Sequence, residues 1–525
     1  MRKKLLTTGV ALVSVFSMYA GGLLTNTNQH VSFLRNPARD ASTEIDAAYT
    51  NPAGLTFLKK DGFFLSLNNQ SAFQTRTITT DFAPFAGNGG SAVKEFEGKA
   101  KAMVIPNLQA AYKTGNWVIS ANVGIEGGGG TLDFSKGLPS FESQVALLPI
   151  TLQQNGIPVN SYSLDSRLKG SSVIYGIQLG LTYKMNDYLS AYIGGRASIV
   201  NNGYDGYIRN IQAKMADGME VGKYLTTVVV PQLTGTGNSL QPIINGGMGG
   251  VQVSQLVAGG YLSQTQVAQM AAGLGLSPAE FGALTVSQAQ GAFFQKAAAV
   301  QGVATQVAAQ TVDKELNCKQ NGIGFAPIIG FNYHWNGLNI GVKYEFQTGL
   351  ELKNKTTTNT TGLTVFDDGA KTPYDIPALL AVGAQYDIVP GATLAVGYHH
   401  FFESAAKMTG DKQQLINSGT NEYLAGVEYR INRLFLLSYG IQFTRFDSAD
   451  AYLTDMSFTV NSYSFGLGGA IYLTDDIRVN LGYFFTNFYD RNKKSANYVS
   501  QAPIPGTDTF SRTSKAFGIG LDFRF

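Results

Sequence analysis

The last ten residues, Ala516 to Phe525, constrain this chain more than any other stretch. Phe517, Ile519, Leu521, Phe523 and Phe525 are apolar, and Ala516, Gly518, Gly520, Asp522 and Arg524 between them are small or polar. Side chains of a strand alternate between faces, so an extended conformation puts five large apolar groups on one side and none on the other. Water is a poor medium for such a face; lipid outside and a polar lumen inside suit both sets. The pattern recurs. Val173, Tyr175, Ile177, Leu179, Leu181 and Tyr183 alternate with Ser172, Gly176, Gln178, Gly180 and Thr182, and Leu338 to Phe346 and Tyr463 to Leu473 behave alike.

Composition agrees. Charged residues are 14% of the 525 residues, against roughly 25% in soluble proteins, and 61 Gly, 26 Tyr and 32 Phe suit tightly turning strands with aromatic girdles. The formal charge is only +3 and no basic tract points to nucleic acid. Arg2, Lys3 and Lys4, the apolar stretch Leu5 to Tyr19 and the small residues Ala20, Gly21 and Gly22 read as a secretory signal peptide over 1–24, cut near Ala20 to Thr25. An N-terminal anchor is the alternative, but the apolar stretch is short of the ~20 residues a spanning helix needs. After it, no run of 18 apolar residues occurs. An exported chain of this kind crosses a membrane only as a closed barrel.

Tight turns are predicted at Lys113 to Asn116, Met185 to Asp187, His334 to Gly337, Val389 to Gly391, Arg430 to Arg433 and Thr474 to Asp476. Longer polar loops separate them. The reading is an all-β transmembrane antiparallel barrel over 62–525 with about fourteen strands, beginning near Gly62, Lys101, Asn116, Ser171, Asp187, Asn321, Gly337, Thr372, Gly391, Thr420, Arg433, Val460, Ile477 and Ser511. A soluble all-β protein with the same rhythm would expose too much apolar surface.

Two regions break the rhythm. Residues 25–61 carry Asn36-Pro37-Ala38 and Asn51-Pro52-Ala53, each a place for the chain to bend. They read as a linker or as a plug inside the lumen. The second region is a loop insertion at about 201–320. There Ser277-Pro278-Ala279-Glu280 is a capping-box helix start, and a further helix carries Phe293, Phe294, Ala297, Val300 and Val307 near one face. That face either packs on a neighbouring helix or offers a greasy groove.

Asn51-Pro52-Ala53, in a small-residue-rich segment just ahead of the first strand, resembles the NPA motif in the hatch of FadL-type outer-membrane transporters. The strand count and the terminal Phe525 agree with that resemblance. It implies a fourteen-stranded barrel plugged by an N-terminal hatch, in the cell outer membrane, importing long-chain fatty acids or aromatic hydrocarbons. The resemblance gives no role to Asn36-Pro37-Ala38. In that family a kink in the third strand opens the wall to the lipids, and the matching stretch here holds Gly124 and Gly127 to Gly130; those glycines serve equally well as the start of an outer loop. Phe525 resembles the terminal signature read by the barrel assembly machinery.

For a fatty acid the expected site is an apolar cavity with a group to receive the carboxylate. Strand phase points Arg196 and Lys343 into the lumen, together with Glu345, Glu428 and Arg478. Lys343 is expected to pair with Glu345, two residues along the same face. Arg196 has no such neighbour in sequence and is the first choice for the carboxylate. No enzyme activity, cofactor or metal is expected: Cys318 is alone, Gly127 to Gly130 lack the Lys of a phosphate loop, and His399 is the only candidate base. The competing classes are a general porin for hydrophilic solutes and a surface adhesin that uses the insertion.

Overall fold

The structure, a computed structural model, describes residues 23–154, 157–500 and 502–525. The expected leader, 1–24, lies outside them except for Leu23 and Leu24. The wall runs β1 Gly62–Phe82, β2 Val93–Thr114, β3 Trp117–Phe134, β4 Val159–Lys184, β5 Leu189–Met215, β6 Lys314–Trp335, β7 Leu338–Glu345, β8 Glu351–Asn359, β9 Lys371–Pro373, β10 Leu379–Val389, β11 Ala392–Phe401, β12 Ile416–Arg430, β13 Phe435–Ser448, β14 Ser462–Tyr472, β15 Ile477–Phe488, β16 Arg491–Ser495 and β17 Gly506–Arg524. β7 with β8, β9 with β10, and β15 with β16 are single wall strands with an interruption. The result is a closed antiparallel barrel of fourteen strands. Closure is made by β1 on β17, in unbroken register from Phe64↔Arg524 to Phe82↔Gly506.

All six expected turns join neighbouring strands at the end of the barrel where Phe63 and Phe525 exchange backbone hydrogen bonds. Their chemistry is local. Asn336 and Gly337 both have positive φ, the backbone that a two-residue hairpin loop requires. Asn186 Oδ1 accepts from the amides of Tyr188 and Leu189, and Asn432 Oδ1 does the same for Leu434 and Phe435.

The strand phase read from the sequence holds. Phe517, Ile519 and Leu521 face outward, as do Tyr175, Ile177, Leu179 and Leu181, while Ala516, Gly520 and Asp522 are buried inside. Several strands start earlier than expected, β4 at Val159 rather than Ser171 and β6 at Lys314 rather than Asn321. β4 and β5 are 26 and 27 residues long, whereas about 9–11 residues cross a bilayer. Lipid sets the alternation only where lipid is present; the ladder continues beyond it.

The insertion is accordingly shorter than 201–320. β5 and β6 remain paired from Leu189↔Tyr333 out to Ile208↔Lys314, and the helices occupy 216–313. Ser277 and Glu280 form the capping box, and Thr285 with Gln288 forms another at the start of the helix Val286–Gln310. Phe293 and Ala297 pack into a core with Leu233, Leu256, Phe281 and Val286, and Val307 into a second with Leu225; Phe294 stays partly exposed. The apolar face is therefore covered by neighbouring helices, and the open groove is not formed.

Ile519 lies between Phe517 and Leu521 on the lipid face and is 53% exposed to the surroundings of the barrel. Ile519→Arg should cost roughly 2–4 kcal/mol if it sits near the bilayer midplane, and Ile519→Val little. Urea unfolding of the heat-modifiable barrel in lipid measures the difference.

Candidate functional site

Residues 25–56 are buried inside the wall almost without exception. They fold as short turns of helix, Val31–Arg35, Ala47–Thr50 and Pro52–Phe57, with the prolines at the bends. A polar segment can be buried this way only if its groups find partners. At Asn51-Pro52-Ala53, Asn51 Oδ1 accepts from the Ala53 amide (3.3 Å) and Asn51 Nδ2 donates to the Phe331 carbonyl (3.0 Å). The Pro52 carbonyl accepts from Thr182 and the Ala53 carbonyl from Ser190. Asn36-Pro37-Ala38, to which the sequence assigned no role, makes the same turn: Asn36 Oδ1 accepts from the Ala38 amide (3.1 Å).

Both turns sit on inward-facing glycines. A Cβ on Gly330 would lie 2.6 Å from Asn51 Oδ1, and one on Gly426 would lie 2.0 Å from Asn36 Oδ1. Gly341 and Gly440 are crowded likewise by Asp40 and Pro37. The wall strands thus carry glycine where the hatch backbone presses on them, which gives the glycine content of this chain a second use beyond turns.

Ion pairs fasten the hatch. Arg39 binds Asp46 through Nε (2.6 Å) and Glu428 of β12 (2.8 Å). Arg478 of β15 joins Glu44 (2.8 Å) to Asp522 of β17 (2.7 Å), and His30 also reaches Asp522 (3.2 Å). His399 lies between Asp40 of the hatch and Glu422 of β12, 2.8 Å from each. Both of its ring nitrogens are engaged by carboxylates, which is an anchor rather than a base poised on a nucleophile.

Arg196 and Lys343 are both in the lumen, but Arg196 does have neighbours. It forms a two-pronged pair with Glu345 (2.7 and 2.9 Å), a pair with Glu126 (2.9 Å) and a hydrogen bond to Gln178. Lys343 pairs with Glu345 (2.6 Å), as expected, and donates to the Tyr49 carbonyl (2.9 Å). The Tyr49 ring lies against both cations. Two cations and two carboxylates, drawn from β3, β5 and β7, face one another, a balance that adjacency in sequence cannot reveal. Glu126, next to the glycine run, is the partner that sequence reasoning missed.

The wall is interrupted beside Glu126. β2 and β3 pair up to Asn107↔Gly124 and again from Lys101↔Thr131, with no ladder between. Pro106 has no amide to donate there, and Gly128 has φ +68°. The hatch fills the gap from inside: Thr25 bridges Gly127, the Asn26 amide donates to the Glu126 carbonyl (2.6 Å), and Gln29 Nε2 donates to the Ile125 carbonyl (3.0 Å). Gly124 is still in the ladder, and Gly127 is within the break.

Away from the turns, the lumen changes character. Ile78 of β1, Leu132 and Phe134 of β3, Leu168 of β4, Leu316 of β6, Phe484 and Phe488 of β15, Phe510 of β17 and the loop residues Leu453, Met456, Phe458 and Val460 pack into one continuous apolar cluster, with Phe33 and Leu34 of the hatch joined to it. Arg76 and Arg512 stand directly opposite each other on β1 and β17 within it. Their guanidinium groups lie over Phe458 (5.5 Å) and Phe488 (4.6 Å).

These features define a class: a closed fourteen-stranded membrane barrel with an internal hatch, an apolar cluster in the lumen and an interrupted β2–β3 seam. Among solved structures the chain is similar to a Pseudomonas aeruginosa FadL homologue, at 10% identity over 96% of this chain and 100% of that chain, with a TM-score of 0.57. It also matches the Pseudomonas putida toluene transporter TodX (13%, 98% of this chain and 100% of that chain, 0.48) and the Ralstonia pickettii toluene transporter TbuX (12%, 94% and 100%, 0.46). No family model and no curated protein matches. The fold is that of the FadL-type transporters.

Asp46→Ala removes the carboxylate that holds Arg39 and should weaken hatch docking by about 3–5 kcal/mol, read as faster limited proteolysis within 25–61. Gly426→Leu should push Asn36 off the wall and raise ion conductance in planar bilayers. Heat-modifiable migration should be unchanged in both, since no wall hydrogen bond is touched.

Proposed function

We propose that this chain is an outer-membrane channel for the passive uptake of hydrophobic molecules, with long-chain fatty acids as its cargo. The observation that carries the reading is the continuous apolar cluster inside the lumen, joined to the hatch and holding two facing arginines. Apolar surface leaving water gains about 25 cal/mol per Å², so an alkyl chain partitions into such a lumen without an energy source. Two guanidinium groups side by side in low dielectric repel each other, and an anion between them relieves that repulsion. Arg76, whose Nε donates to Gln74 Oε1 (2.9 Å), and Arg512 take the carboxylate role first given to Arg196 and Lys343.

The route out is the β2–β3 seam at Gly127. Where a strand ladder closes a seam, opening it in lipid leaves amides without partners. At this seam the partners are hatch and side-chain groups: the Ile105 amide donates to Asn69 Oδ1, and Asn107 Nδ2 donates to Asn122 Oδ1. Movement of 25–29 would free a path into the surrounding outer-membrane lipids. The resemblance of Asn51-Pro52-Ala53 to the hatch motif and the shared fold support this reading. Phe525, outward-facing at the barrel end, remains the residue proposed for the assembly machinery. A hydrophilic porin needs an open aqueous lumen, which a docked hatch and apolar cluster oppose.

Mass spectrometry of co-purified lipid should find long-chain acids. Arg76→Gln with Arg512→Gln should weaken binding of a fatty acid anion roughly ten- to a hundredfold, the size of one lost charge-assisted hydrogen bond, and leave a neutral hydrocarbon of similar length unaffected. Equal loss of both ligands would assign the arginines to the fold, and high conductance of the intact protein would favour the porin.

A further inference from the structure

Glu403 lies in the loop after β11, beyond the membrane-spanning strands, and is 1% exposed. Its Oε1 accepts from the backbone amide of Leu23 at 2.7 Å, and its Oε2 accepts from the Thr420 hydroxyl at 2.6 Å. Both donors are neutral, and the charged group acting on it is Glu422, of the same sign. Burial pushes the carboxyl up to about 7. A buried carboxylate held by neutral donors alone is an expensive arrangement, and a cation at the Leu23 position would remove the cost.

The sequence just ahead of Leu23 indicates how that cation arises. A leader peptidase reads small residues one and three places before the cut. Within 20–25, a cut after Gly22 meets this, with Gly22 and Ala20 in those places; a cut after Ala20 would put Met18 there, and a cut after Gly21 would put Tyr19 there. We infer that the chain is cut between Gly22 and Leu23 on export, and that Glu403 receives the new N-terminal ammonium of Leu23. One water adds across the amide: the C–N bond breaks, Gly22 leaves as a carboxylate, and the Leu23 nitrogen takes up a proton. The nitrogen already 2.7 Å from Glu403 Oε1 then carries a positive charge, and a neutral hydrogen bond becomes a buried ion pair.

This pair would tether one end of the strap that patches the wall. The Leu23 side chain packs with Met408, Ile416 and Tyr452, and two residues on, Thr25 bridges Gly127 at the β2–β3 break. Removal of the leader thus completes the hatch at its outer end. The inference requires export and a hatch, and it stands whatever ligand the channel carries.

Intact mass and N-terminal sequencing of the protein purified from outer membranes test the cut; Leu23 is the expected first residue, and any other overturns the assignment. Labelling of the folded protein with an amine-reactive acyl reagent at neutral pH, followed by peptide mapping, tests the pair. The Leu23 α-amine should react about tenfold or more slowly in the wild type than in Glu403→Gln, the change expected from one unit in amine pKa. Equal rates overturn the pairing. Should Glu403→Gln fail to assemble, one Asn inserted between Gly22 and Leu23 keeps the cut after Gly22, since Asn does not suit the place before the cut, and moves the ammonium off Glu403 in an otherwise unaltered chain. That amine should label fast, and slow labelling counts against the pair.

Discussion

A backbone amide in hydrocarbon has no water to bind, so every N–H and C=O in the wall needs a partner from the chain itself. The β1–β17 ladder meets that demand by closing the sheet, and the rest of the molecule follows from closure. A closed sheet has an inside, and the inside must be filled or wet. Here the end near the turns is filled by residues 25–61, and beyond it an apolar cluster packs among buried polar groups such as Gln74, Asn202 and Gln320. At the β2–β3 break the demand is met by other means: Asn26, Gln29 and Asn69 supply donors and acceptors where the neighbouring strand does not. A seam satisfied by a removable segment is one the protein can open without breaking a strand-to-strand ladder.

The hatch is fixed by charge and by fit. Burying an ion pair gains little when both ions start in water, but removing one partner from a buried pair is costly. Arg39, Arg478 and His399 each bind hatch and wall carboxylates together, so displacing the hatch leaves groups unpaired on both surfaces. The inward glycines let the hatch backbone come close enough for these contacts. Arg196 meets the hatch through the Tyr49 ring, but its carboxylate partners both belong to the wall. It looked solitary in sequence because its partners, Glu126 and Glu345, come from β3 and β7.

Much of the architecture is written locally. Alternation over Ala516 to Phe525 assigns each residue to lipid or lumen, because the pleat has period two and the bilayer punishes a wrong phase. Five of the six turns are encoded by Asn, Gly or Pro at their bends and the sixth by Asp475 and Asp476, and both helix starts at Ser277 and Thr285 by their own caps. Strand ends beyond the membrane are not encoded this way, since no lipid enforces alternation there. For that reason β4 and β6 begin ahead of the apolar pattern, and the insertion shrinks to 216–313.

By itself the sequence determined the barrel, its strand phase, its turns and the separate character of 25–61, all properties of residues near one another in the chain. Only the tertiary structure decided which lumenal charges are already neutralised, that Asn36-Pro37-Ala38 docks as Asn51-Pro52-Ala53 does, and that Arg76 stands opposite Arg512. It also decided that the apolar face of the helix Val286–Gln310 is covered. Each of these is a meeting of side chains brought together by closing the sheet. Strand phase tells which way a side chain points, but what it meets across the lumen depends on register and on the path of the hatch.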